Sequence, residues 1–125
     1  MIRSSRFVWL AGLSLSLAWG PAAGPAFAIK QFADEFKEVY VKDGSPLATA
    51  VEAAKCNVCH VGKNKKDRNA YGEELAKLLD KKEDKDDKAK IKQALEAVAK
   101  LPSKEAGKTF GDLIAAGQLP GGPAE

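Results

Sequence analysis

The chain has 125 residues, 45% of them hydrophobic, which is enough for one domain with one core. Its formal charge of +3 falls to +1 once a leader carrying Arg3 and Arg6 is set aside, because 18 basic residues then face 17 acidic ones. A near-neutral domain without a basic stripe or interleaved aromatics excludes the usual electrostatic footprint for nucleic acid.

Residues 1–28 read as an export signal: Arg3 and Arg6 form a basic start, Phe7 to Trp19 an apolar stretch, and Ala26-Phe27-Ala28 a small-x-small cleavage site. Ala23 offers a second, weaker site. An uncleaved signal would act as a membrane anchor. Against that, the apolar stretch falls short of the ~20 residues that span a bilayer, and Gly20, Pro21, Gly24 and Pro25 interrupt it. The expected mature chain therefore starts near Ile29, in the periplasm or outside the cell, without Trp or Met.

The remainder, 29–118, reads as helices joined by polar turns, an all-α domain of four to five short helices. Gln31 to Val41 carries Phe32, Phe36, Val39 and Tyr40 on one helical face. Ser45 and Pro46 open a second helix over Leu47 to Lys55 with Leu47, Val51 and Ala54 inward. A lysine-bearing loop, Val61 to Asp67, precedes a third helix, Asn69 to Leu79, with Tyr71, Leu75, Leu78 and Leu79 inward. Asp80 to Lys88 is wholly Asp, Glu and Lys, and reads as a solvated connection away from the core. Ile91, Leu95, Val98 and Leu101 mark a fourth helix stopped by Pro102, and Thr109 with Asp112 caps a short fifth before Gly117. Residues 119–125 read as a flexible tail.

The chemistry concentrates in Cys56-Asn57-Val58-Cys59-His60. Two cysteines two residues apart allow a redox dithiol, part of a metal site, or haem attachment, with a plain disulfide as the fourth option. A dithiol of the thioredoxin kind expects a βαβ setting, and no strand pattern precedes the motif. A zinc site wants four ligands, but the chain holds no further Cys or His. A disulfide here closes too small a loop to stabilise much. Haem attachment uses all three residues: two thiols bond one porphyrin edge covalently, and His60 supplies an axial iron ligand. It also suits the export signal and the helical pattern. With only Phe32, Phe36, Tyr40, Tyr71 and Phe110 as aromatics after the leader, such a chain would draw much of its core from the porphyrin, and be partly unfolded without it.

On Cys56 to His60 the chain resembles the small single-haem c-type cytochromes of class I. The resemblance implies a domain wrapped around one covalent haem c, electron transfer to a partner protein, and no enzymatic activity. Arg68-Asn69-Ala70-Tyr71-Gly72 is similar to an Asn-x-aromatic-Gly element found after the haem motif in some exported bacterial cytochromes, which would put Asn69 and Tyr71 at the haem pocket. Tyr71 as ordinary core is the competing reading. The chain departs from the family at the far side of the iron, where a methionine is usual and Met1 is the only one present. The position falls to Lys63, Lys65 or Lys66, to Tyr71 or Tyr40, to Asn69, to the new amino terminus, to water, or to nothing. An open position would suit binding or sensing a gas. The lysine loop also reads as a docking patch for an acidic redox partner.

Overall fold

The computed structural model describes the backbone of residues 25–63 and 66–124 and the side chains from Lys30 onward. Most of the expected leader, and Lys65, lie outside these residues. The fold is all-α. Helix α1 runs Pro25–Tyr40, α2 Pro46–Ala54, α3 Ala70–Leu78, α4 Lys88–Ala99 and α5 Phe110–Ala115, with one 3₁₀ turn at Lys55–Val58 and no strand among the described residues. Among them no helix is long and apolar enough to cross a membrane. Helix α1 begins earlier than its aromatic stripe requires, so its backbone passes through Ala28 and Ile29, the expected cleavage point.

The start of each later helix follows from a capping side chain. Ser45 accepts from Ala48 N, Asn69 from Gly72 N, Asp87 from Lys90 N, and Thr109 and Asp112 form a reciprocal capping box. Each satisfies a backbone donor that the helix geometry leaves unpaired. Gly44 and Gly117 take positive φ at turns, where a side chain would be strained.

The centre of the fold is the crossing of α1 and α4. Phe36 from α1 and Ile91, Leu95 and Val98 from α4 are all at most 2% exposed, each contributing roughly 1.5–3 kcal/mol by leaving water. Polar contacts seal the edge of the crossing. Glu35, buried, meets Lys88 Nζ at 3.1 Å, Lys92 Nζ lies 3.0 Å from Glu38, and Tyr40 donates its hydroxyl to Leu95 O at 3.0 Å. Tyr71 packs edge-on between Phe36 and Phe110, so α3 and α5 complete the same core.

Three expectations are corrected. Leu78 and Leu101 are exposed, because α3 ends at Leu78 and α4 at Ala99, and the turns that follow bring Leu79 inward and leave Leu101 out. The Asp80 to Lys88 connection does reach the interior. Asp84 is buried there, its carboxylate accepting from Asp80 N and Lys90 Nζ, both at 2.7 Å. The tail does not start at 119: Pro120 is fully buried, and a Cβ on Gly121 would collide with the Asn69 side chain. The chain is packed through Gly121.

Candidate functional site

Helix α2 aims the chain at the site and the backbone then turns sharply. Lys55 takes φ 52° and ψ −115°, a region that costs a non-glycine residue about 1–3 kcal/mol, and the 3₁₀ turn Lys55–Val58 follows. This turn presents Cys56 and Cys59 as free thiols and buries Val58. Asn69 ties it down from the far side of the loop. Its Nδ2 donates to Val58 O at 2.9 Å and to Asn57 O at 3.3 Å, while its Oδ1 caps α3.

The loop from Val61 closes on itself through one carbonyl. Asp67 O accepts from Val61 N at 3.1 Å and from the His60 ring at Nδ1, also at 3.1 Å. A carbonyl can only accept, so Nδ1 carries a proton, and in the neutral ring it is Nε2 that would hold the lone pair. That arrangement is the one by which proteins fix a metal-binding imidazole: one nitrogen donates to a carbonyl and the other faces the metal. Asn69 N donating to Cys59 O at 3.0 Å completes the clamp.

Cys56, Cys59 and His60 share one cleft of about 890 Å³. Phe32 and Phe36 from α1, Val51 from α2, Val58, Leu75 from α3 and Leu79 just beyond it form its apolar wall. Lys30, Lys37, Lys55, Arg68, Lys81 and Lys82 stand around it against Asp34, Glu52 and Asp80, an excess of positive charge. The size is in the upper part of the ~300–1,000 Å³ range of small-molecule sites, and the walls have their usual apolar character.

Burial in these walls, reinforced by the Cys56 thiol nearby, pushes the Cys59 thiol up to about 12. At neutral pH it stays protonated, the opposite of the depressed values that make reactive dithiols. Among the described residues no three His, Cys, Asp or Glu side chains converge on a point where they alone could hold a metal ion.

Asn69 and Tyr71 do not line the cleft. Both are nevertheless indispensable to it from behind. Asn69 is spent on the 3₁₀ turn and the α3 cap, and Tyr71, with no measurable exposure, is core. Burial raises the Tyr71 phenol far above its ordinary range, with the Cys59 thiol adding to the shift, and its hydroxyl has no hydrogen-bond partner among the described residues. Gly72 is the residue that the motif undersold: a Cβ there would strike the Cys59 carbonyl oxygen, so only glycine lets α3 start against the motif. Leu75 and Leu79 were legible as apolar spacing and Val58 was not, and spacing does not distinguish a side chain facing a cleft from one facing the core.

No family model, curated protein or solved structure matches this chain.

Proposed function

We propose that the chain is an exported c-type cytochrome that holds one haem through Cys56, Cys59 and His60 and passes electrons to a partner protein. The observation that carries this reading is the meeting of two thiols and an imidazole, its proton fixed on Nδ1 by Asp67 O, in one apolar cleft of about 890 Å³. The donor set fits the group. Each thiol would add its S–H across one vinyl group of the porphyrin, sulfur to one carbon and hydrogen to the other, so nothing leaves and no oxidant is consumed. His60 Nε2 would be the iron ligand on the same side of the chain.

When bound, the haem supplies one-electron cycling between ferrous and ferric iron. The chain's own residues do the rest. Phe32, Phe36, Val58 and Leu75 exclude water from the cleft, the Asp67 carbonyl holds the imidazole orientation, and Asn69 fixes the segment carrying both thiols. The cationic surround of the cleft suits an acidic partner, and transfer to it should slow as salt rises. No acid-base residue stands beside His60 in the motif, which favours a carrier over an enzyme.

The test is expression of the full-length chain in cells that attach haem c. The expected protein is red and keeps its haem through acid-acetone extraction, Cys56→Ala with Cys59→Ala loses the covalent haem, and His60→Ala retains some attachment with an altered iron spectrum. Wild-type protein that carries no haem under these conditions sinks the reading. Rapid carbon monoxide binding by the wild-type ferrous protein would favour a gas-binding role over a carrier.

A further inference from the structure

A haem iron held by His60 has a second axial face, and beyond Met1 and His60 the chain contains no methionine or histidine to meet it. We infer that an amine of the Lys81–Lys82 pair takes that position, an inference that rests on the haem reading above.

The path of α3 carries the argument. Gly72, near its start, lies against the Cys59 carbonyl, so the helix leaves from the wall that bears His60. Leu75, Ala76 and Leu79 then line the cleft at successive turns. At 1.5 Å per residue, the six steps from Gly72 to Leu78 advance the chain by about 9 Å. The helix thus leads away from Cys59 along the cleft, and the turn after it carries Lys81 and Lys82. Both line the cleft there.

The turn that carries them is fixed before any ligand arrives. Asp80 Oδ1 accepts from Lys82 N at 2.7 Å and Glu83 N at 3.1 Å, and Asp84 holds Asp80 N from the other end. The lysines that form ion pairs, Lys77, Lys88, Lys90, Lys92 and Lys108, all lie outside the cleft. Lys81 and Lys82 form none with the described residues. On giving up one proton to solvent, each amine becomes a strong σ-donor on a flexible four-carbon stem, suited to reaching inward from a surface turn.

Among the described residues, which do not include Lys65, the other donors are spent or less well placed. Tyr40 gives its hydroxyl to Leu95 O, Asn69 is bound at both ends of its amide, and Tyr71 is packed in the core. Lys63 and Lys66 do not line the cleft, and Lys55 directly precedes Cys56 on the His60 wall. On α1, Phe32 and Phe36 fill the wall between Lys30 and Lys37.

The experiment reads the iron itself, in full-length haem-loaded protein. Electron paramagnetic resonance and optical spectra of the ferric form, with carbon monoxide difference spectra of the ferrous form, are compared for wild type, Lys81→Ala, Lys82→Ala, the double variant, Lys81→Arg with Lys82→Arg, and a Lys30→Ala with Lys37→Ala control. The wild type and the α1 control should be six-coordinate and low-spin and take up carbon monoxide poorly. The double alanine and double arginine variants should both lose the low-spin signal and bind carbon monoxide, because arginine keeps charge and bulk but does not ligate; one single variant should reproduce the loss. A double variant that stays low-spin overturns the inference while leaving the haem reading intact. So does a wild type that is already five-coordinate. Absence of covalent haem in the wild type removes both.

Discussion

Asn69, which stands behind the cleft, and Gly72, which borders it without a side chain, show how much of the site depends on residues that carry none of its chemistry. Asn69 spends one amide group on two tasks, holding the 3₁₀ turn through Val58 O and starting α3 through Gly72 N, so the thiol-bearing segment and the cleft wall are set by the same side chain. Gly72 allows the close approach that this requires. Gly72→Ala should therefore push α3 off Cys59 and destabilise the protein by about 1–3 kcal/mol, the usual cost of forcing a methyl into filled space. Urea denaturation of the two proteins measures it, and a midpoint equal to wild type would mean that the contact with Cys59 opens freely. Tyr71 illustrates the limit of residue-level reading. The Asn-x-aromatic-Gly spacing suggested a pocket residue, but its ring completes a T-shaped stack with Phe36 and Phe110, contacts between residues far apart in sequence.

Among the elements, the helices were legible and the connections were not. Ser45, Asn69 and Thr109 announce helix starts because capping is a local exchange between one side chain and a backbone donor a few residues on. The run Asp80 to Lys88 hides its cap, Asp87, among residues of the same kind. Its composition says solvated, yet Asp84 is buried because Lys90, from the start of α4, neutralises it and Asp80 N completes its hydrogen bonding. Those two contacts, the Lys90 bond first, hold the Asp84 carboxyl below its ordinary value of 3.8. A carboxylate depressed in the folded state stabilises it above the ordinary value, and that contribution is lost as pH falls through the lower folded value. Stability measured by urea midpoint should accordingly drop below about pH 4. Asp84→Asn should be less stable than wild type at pH 7 and show a shallower acid limb; an unchanged limb would show that this turn is not among the groups driving acid unfolding.

At the scale of the molecule, the five helices of the described residues enclose a core that shares several of its side chains with the cleft. Phe36 serves both, being buried against α4 and also lining the cleft. A cleft of about 890 Å³ with walls of Phe, Val and Leu leaves apolar surface that the proposed haem would cover. The chain without haem should therefore melt at a lower temperature than the loaded protein, with less cooperativity, and should bind a hydrophobic dye that the loaded protein excludes. Calorimetry and dye fluorescence of the Cys56→Ala, Cys59→Ala chain against the wild type check this. Equal melting of the two would mean that the helical core is self-sufficient and the cleft contributes nothing to folding.

The sequence alone determined the all-α class, three of the helix starts and the Cys56, Cys59 and His60 constellation, because capping, helical periodicity and thiol spacing are local properties written in adjacent residues. The tertiary structure decided which apolar residues face the cleft, that Asn69 and Tyr71 stand behind it, and that Lys81 and Lys82 rather than the loop lysines Lys63 and Lys66 border it. Those facts depend on where α3 runs along the cleft and how α1 packs on α4, and both are fixed by contacts between residues distant in the chain.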